Sequence, residues 1–125
     1  MKKDGIILII EPERIIGLEL QVELEHHGYT VLQSPTIKLA QQLNNKQKVK
    51  VIIIDVDKTP VADFIQITKH FKPSQYSVIA ITSGAQALKE YQDIKFIEVF
   101  LKPFNSKNIA SFIDKQFAVL NTNSV

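Results

Sequence analysis

The sequence predicts an α/β domain in which five parallel strands form one open sheet with helices on both faces. Five short apolar segments recur along the 125 residues, and amphipathic segments of helical periodicity separate them. Three of the apolar segments, IILII, VIII and VIAI, are continuous and rich in β-branched residues, which is typical of strands buried on both faces. Strands joined by single helices run parallel with right-handed crossovers, so the predicted arrangement is (βα)₅.

The first half of the chain contains strong signals for helix ends. A first helix is predicted from Glu13 to His27, ending before Gly28, a residue suited to a helix C-terminus. Ser34 and Pro35 supply the cap and the first-turn proline of a second helix.

The five predicted strands are Ile6–Ile10, Thr30–Gln33, Val51–Ile54, Val78–Ile81 and Val99–Leu101.

Three further helices are predicted in the second half of the chain. They cover Val61–Phe71, Ser83–Tyr91 and a segment that begins with a cap at Asn105 or Ser106. One domain is expected over residues 1–120, since this length suits a single core. The polar residues 121–125 are expected to form a frayed tail or the start of a linker.

Composition and charge exclude several classes of function. The chain has no cysteine, which excludes disulfides, thiolate metal sites and a cysteine nucleophile, and which fits a cytoplasmic location. Its N-terminal apolar segment, Ile6–Ile10, is too short for a secretory signal or for a membrane span of about 20 residues. A net charge of +2 is too small to indicate binding to nucleic acid.

Polar residues follow four of the predicted strands at their carboxyl ends. They are Glu11 after the first strand, Asp55 after the third, Thr82 and Ser83 after the fourth, and Lys102 after the fifth. In an open parallel sheet these ends meet at one edge, where ligands bind. Carboxylate oxygens suit Mg²⁺, and a lysine with a hydroxyl suits the oxygens of a phosphoryl group. The pattern therefore predicts phosphoryl transfer to or from Asp55 as the nucleophile.

These segments resemble the receiver domains of response regulators over nearly the whole chain. ILIIEPE resembles the first strand with its acidic pair, and VIIIDVDKTP resembles the strand and loop of the phosphoaccepting aspartate. VIAITS and FLKPF resemble the strands that end in the switch hydroxyl and in Lys-Pro. The resemblance implies a flavodoxin-like fold of strand order 2-1-3-4-5. It also implies that Asp55 accepts phosphate, that Thr82 binds a phosphoryl oxygen, and that Lys102 pairs with the aspartate or the phosphate.

By this resemblance the chain is a phosphoprotein of two-component signalling, with at most slow autodephosphorylation as an enzymatic activity. A histidine kinase or phosphotransfer protein would supply the phosphoryl group to Asp55. Phosphorylation would draw Thr82 inward and bias the surface of the fourth helix, fifth strand and fifth helix toward an output domain or effector protein. Direct contact with nucleic acid or with a membrane is not implied, and a homodimer stays open.

Departures from the family's pattern affect the metal site and the switch. Glu11 stands at the first acidic position, but Pro12 stands at the second, where the family has its usual direct metal ligand. Magnesium is therefore expected to bind weakly, through Glu11 and Asp55, with Asp57 as a further candidate ligand if its side chain turns inward. Val99 stands where the family often has a Tyr or Phe that reports the state of the switch hydroxyl, so coupling must be weak or take another route.

Two alternative functions stay open. A pseudo-receiver would use the same fold only as a protein-interaction module, without phosphorylation, and both Pro12 and Val99 favour it. The receiver interpretation itself requires that Lys102 face Asp55 and that the Asp55 carboxyl group be open to water.

The second alternative is a phosphatase of the haloacid-dehalogenase type. The segment DVDKT matches the DxDxT motif of those enzymes, in which Asp55 would be the nucleophile and Asp57 the general acid and base. Chain order argues against this alternative, because that family places its motif near the start of the chain and an acidic pair after the lysine. Here a complete β-α-β unit precedes Asp55, and Asp114 is the only acidic residue after Lys102.

Overall fold

The computed structural model describes residues 5–33, 49–69, 71–72 and 75–123, with side chains through residue 117. The strands are β1 (Ile6–Ile10), β2 (Thr30–Gln33), β3 (Val49–Asp55), β4 (Ser77–Thr82) and β5 (Phe96–Leu101). The helices are α1 (Arg14–His26), α2 (Val61–Thr68), α3 (Ala85–Leu88) and α4 (Ser106–Asn123), and a 3₁₀ turn at Lys89–Tyr91 follows α3. The helix predicted to open at Ser34 and Pro35 lies outside the described residues.

All five strands are parallel and lie in the order β2-β1-β3-β4-β5, which confirms the predicted topology. The strand order reverses between β1 and β3. Their carboxyl ends are level to within one residue, because Ile10 pairs with Ile54, and Asp55 pairs in turn with Ile81 of β4. Functional groups that follow these strands therefore share one edge of the sheet.

Two apolar clusters cover the two faces of the sheet. Ile7 and Ile9 of β1 point into a core shared with α1 and α4, whereas Leu8 and Ile10 point into a core shared with α2. Every residue of β1 is buried, as expected for a strand covered on both faces. The strands β1 and β3, which end next to each other at this edge of the sheet, are thus packed on both faces.

The structure moves some predicted boundaries. Strand β5 begins at Phe96, three residues before the predicted start at Val99, and it mixes exposed and half-buried positions. It lies at the edge of the sheet, so exposed residues such as Glu98 interrupt the continuous apolar pattern on which the prediction relied. The helix predicted over Ser83–Tyr91 is divided between α3 and the 3₁₀ turn.

The end of α1 follows the predicted signal, whereas α2, predicted over Val61–Phe71, ends at Thr68. Helix α1 ends at His26, and Gly28 has a φ of 92°, which a residue without a Cβ adopts readily. Helix α4 is assigned as far as Asn123, and a domain boundary near residue 120 stays a prediction. Among the described residues, the helices all fall short of the length and apolarity needed to cross a membrane.

Candidate functional site

The carboxyl edge of the sheet brings together the polar residues that follow its strands. Asp55 and Thr82 are the last residues of β3 and β4, while Glu11 and Lys102 directly follow β1 and β5. The backbone N–H of Lys102 donates to the carbonyl of Thr82 at 2.8 Å. The ammonium nitrogen of the Lys102 side chain lies 2.7 Å from Oδ2 of Asp55. Parallel pairing of the strands therefore sets the spacing of the acid and the amine.

Asp55 is enclosed on every side. Its Oδ1 accepts hydrogen bonds from the backbone N–H groups of Asp57 (3.0 Å) and Lys58 (3.2 Å). Its Oδ2 faces Lys102, and the ammonium of Lys58 lies 3.9 Å away. The side chain has 0% of its surface exposed. The lysine faces the acid as the receiver interpretation requires, but the expectation that the Asp55 carboxyl group is open to water is wrong for this structure. Neighbouring side chains must move before the acid can react.

Asp57 turns its side chain inward, onto the groups at the carboxyl ends of β4 and β5. Thr82 Oγ1 donates to Asp57 Oδ1 at 2.6 Å, and the N–H of Ser83 donates to Oδ2 at 2.8 Å. The ammonium nitrogen of Lys102 lies 3.2 Å from the same Oδ2. Burial on its own raises the pKa of Asp57, but the hydrogen bonds from Thr82, Ser83 and Lys102 outweigh that effect and lower the pKa to about 2. Asp57 is thus a carboxylate at neutral pH.

Glu11 is a buried acid beside Asp55. It is 4% exposed, and its Oε2 accepts a hydrogen bond from the N–H of Glu13 at 3.1 Å. Burial raises the pKa of Glu11 to about 7, and the adjacent Asp55 carboxyl adds to this effect, since two neighbouring carboxylates repel each other. The hydrogen bond from Glu13 and the charge of Lys58 act in the opposite direction. Glu11 therefore holds a proton over part of the physiological pH range.

The donor set available to a magnesium ion is small. Glu11 and Asp55 lie side by side, and Oε1 of Glu11 accepts no hydrogen bond from any residue that the structure describes. Pro12 has no donor, and Asp57 is engaged by Thr82. Within the described ranges, no three His, Asp or Glu side chains are grouped to hold a metal. Two carboxylates fit Mg²⁺, which keeps several waters, but offer it few direct ligands.

Lys58 adds a second ammonium group that the strand-end pattern did not predict. Its Nζ lies 2.5 Å from Oε1 of Glu13, and this contact raises the pKa of Lys58. The pair joins the loop after β3 to the loop after β1. A lysine in a loop has no distinguishing sequence signal, which is why only the structure assigns it to the site.

Tyr91 was predicted only as the end of a helix, but it lies in the core next to the site. It is 1% exposed, and its hydroxyl donates to the carbonyl of Thr59 at 2.5 Å. Its ring packs near Phe64 of α2 and Phe96 of β5, at centroid distances of 5.9 and 6.1 Å. Val99 packs against the same core cluster. The loop that carries Asp57 is thus linked to the start of β5.

Comparison with known proteins gives the fold and no closer relative. No protein-family model matches the sequence, and no curated protein matches it. Among solved structures, a response regulator from Thermotoga maritima is similar with a TM-score of 0.71 at 16% identity, over 90% of this chain and 97% of the other. A response-regulator receiver domain protein from Clostridium thermocellum is similar with a TM-score of 0.71 at 22% identity, over 94% of this chain and 98% of the other.

A third similar structure is the receiver domain of the sensor histidine kinase PA1611 from Pseudomonas aeruginosa, in which a magnesium ion is coordinated in the active-site cleft. It has a TM-score of 0.70 at 18% identity, over 90% of this chain and 97% of the other. The chain therefore has the fold of response-regulator receiver domains. At these identities the similarity shows the fold alone, and function has to be argued from the residues of the site.

Proposed function

We propose that this chain is a receiver module of phosphorelay signalling, in which Asp55 accepts a phosphoryl group from a histidine kinase or phosphotransfer protein. The observation that supports this most is the distance of 2.7 Å between Lys102 Nζ and Asp55 Oδ2, on the receiver fold, with the Thr82 hydroxyl at the end of the adjacent strand. An acid, an amine and a hydroxyl held by three neighbouring strands suit a phosphoryl group in transfer.

The chemistry follows from these groups. An oxygen of Asp55 attacks phosphorus, so that an acyl phosphate bond forms while the bond from phosphorus to the donor's imidazole nitrogen breaks. Lys102 balances the negative charge that gathers on the phosphoryl oxygens, and Thr82 with the N–H of Ser83 donates hydrogen bonds to them. Magnesium, when held by Glu11 and Asp55, supplies further positive charge at the same oxygens.

The partners of this module follow from its surface. An output domain or effector protein would bind the face formed by α3, β5 and α4, where Ile97 and Leu101 are exposed apolar residues. A homodimer would use the same face. The location proposed for this signalling is the cytoplasm. The activity proposed is phosphoryl acceptance, with no catalytic turnover beyond slow loss of the phosphoryl group.

Intact-mass measurement tests phosphoryl acceptance directly. After incubation with acetyl phosphate and magnesium, we expect the protein to gain the mass of one phosphoryl group and the Asp55→Asn variant to gain none. Asp93→Asn is a matched control, because Asp93 is an exposed acid that precedes β5. It lies at the amino ends of the strands, whereas the site lies at their carboxyl ends. Modification of Asp55→Asn to the same extent would place the acceptor elsewhere.

The pseudo-receiver is the second candidate, and the complete burial of the Asp55 side chain favours it. In this case the unmodified chain acts by docking to a partner. Absence of the mass gain in the wild type and also in Asp57→Ala, which removes the carboxylate that contacts Thr82 and Lys102, would favour this candidate. Steady hydrolysis of an aryl phosphate would instead favour the phosphatase, although Asp55 ends the third strand of the chain, which argues against it.

A further inference from the structure

The carboxylate of Asp57 contacts every group to which the proposed function assigns a phosphoryl oxygen. The Thr82 hydroxyl donates to Oδ1 at 2.6 Å. The N–H of Ser83 and the ammonium of Lys102 lie 2.8 and 3.2 Å from Oδ2. Carboxylates and phosphoryl groups share this chemistry, because both present anionic oxygens on one central atom and accept short, charge-assisted hydrogen bonds.

We propose that Asp57 is an internal anion that occupies the phosphoryl position of this site and holds Thr82 inward in the unmodified protein. The occupation by Asp57 rests on the contacts alone. The statement that a phosphoryl group competes with Asp57 rests, in addition, on the proposed function.

Hydrogen bonds within the loop after β3 hold the backbone of Asp57 in the position from which its side chain reaches these donors. The N–H groups of Asp57 and Lys58 both donate to Oδ1 of Asp55, so the chain turns after β3, and the Asp57 carboxylate reaches Thr82 and Lys102. The Asp57 side chain keeps 18% of its surface exposed. Because part of this side chain faces solvent, rotation about its own bonds can take the carboxylate outward while the backbone turn stays in place.

The position of Asp57 has one consequence for an incoming anion and one for the Thr82 hydroxyl. A phosphoryl group at Asp55 and the carboxylate of Asp57 carry like charges and need the same three donors, so one excludes the other. The Thr82 hydroxyl has one proton and two acceptors within reach, the Asp57 carboxylate at 2.6 Å and the Gly84 carbonyl at 2.9 Å, and the charged acceptor at the shorter distance is the stronger one. Removal of Asp57 should therefore open the anion site and leave the Gly84 carbonyl as the acceptor for Thr82.

Binding of beryllofluoride, a phosphoryl mimic, tests the exclusion. With magnesium in excess, we expect Asp57→Ala to bind beryllofluoride about tenfold or more tightly than the wild type, since no internal anion has to leave. Asp57→Asn should fall between them, because its neutral amide keeps a hydrogen-bond acceptor for Thr82 but loses the attraction to Lys102. Asp93→Ala removes an exposed acid at the opposite edge and should match the wild type.

A second readout tests the occupation without any added anion. We expect the backbone amide of Ser83 and the methyl group of Thr82 to shift in NMR spectra on Asp57→Ala, and to stay in place on Asp93→Ala. Circular dichroism of each variant verifies that it is folded, and Asp57→Asn replaces the alanine variant if that one unfolds.

The outcomes separate this inference from the proposed function. Equal affinity of the wild type and Asp57→Ala for beryllofluoride would overturn the exclusion, while the binding itself would support the receiver function. No binding by either protein would contradict the receiver function, and the Ser83 and Thr82 signals would still decide the occupation. If those signals move no more on Asp57→Ala than on Asp93→Ala, Asp57 does not hold Thr82, and the inference is wrong.

Discussion

Replacement of Glu11 by glutamine should stabilise this protein at alkaline pH and leave its stability unchanged at acid pH. Burial, with the neighbouring Asp55 carboxyl, raises the pKa of Glu11 from its ordinary value of 4.5 to about 7. Between these two pH values the folded chain keeps a proton that the unfolded chain has lost. The free energy of unfolding therefore falls as pH rises through this window, and the penalty stays constant above it.

The shift in pKa sets the size of the effect. A rise from 4.5 to about 7 corresponds to a penalty on the order of 3 kcal/mol once Glu11 is ionised in the folded state. Glutamine has nearly the same shape and carries no charge, so it removes this penalty and keeps the packing. The free energy of unfolding of the variant should exceed that of the wild type by up to about 3 kcal/mol near pH 8. Near pH 4 the two free energies of unfolding should be nearly equal.

Urea unfolding followed by circular dichroism, with a chelator present to exclude metal binding, measures this difference at several pH values. Glu19→Gln is the matched control, because it makes the same substitution at an exposed acid on α1. A Glu11→Gln difference that is the same near pH 4 and near pH 8 would refute the reasoning. It would mean that the carboxyl group of Glu11 titrates in the folded chain as it does in the unfolded one.

Three further changes test the metal site, the core and the aromatic link. Pro12→Asp restores a second carboxylate and should strengthen magnesium binding about fivefold to tenfold in calorimetric titration; unchanged affinity would show that position 12 does not reach the ion. Ile52→Ala should lower the free energy of unfolding by about 2–5 kcal/mol in urea, because Ile52 is 0% exposed, and a loss below this range would mean that the core collapses around the cavity. Tyr91→Phe leaves the Thr59 carbonyl unpaired in the interior and should cost about 1–3 kcal/mol in the same assay; an equally stable variant would show that the hydrogen bond contributes nothing.

The sequence predicted those parts of the fold that depend on local patterns. Strands β1, β3 and β4 were located because they are covered on both faces and consist almost entirely of apolar residues. Strand β5 was located only in its second half, because an edge strand mixes exposed residues such as Glu98 with buried ones. The longer amphipathic helices α1 and α4 were easier to predict than the short α3, which has only four residues and depends on its neighbours.

The candidate site divides in the same way. The position of Asp55, Thr82 and Lys102 at one edge of the sheet could be predicted from the sequence, because the carboxyl ends of parallel strands meet there. The inward direction of Asp57 could not be predicted, since it depends on donors that arrive from two later strands. Closure of Asp55 to water has the same origin. Side-chain directions in a loop are determined by tertiary contacts, which leave no trace in local sequence periodicity.

Tyr91 links the loop after β3 to the start of β5, through its hydroxyl at one end and its ring at the other. Any displacement of the loop that carries Thr59 must either take the tyrosine ring along or abandon a hydrogen bond in a dry interior, at a cost of about 1–3 kcal/mol. Because the ring packs near Phe96, the less costly response transmits the displacement to the first residue of β5. Under the proposed exchange of Asp57 for a phosphoryl group, Tyr91 is therefore the aromatic side chain that would carry a movement of this loop to β5, because Val99 has no ring.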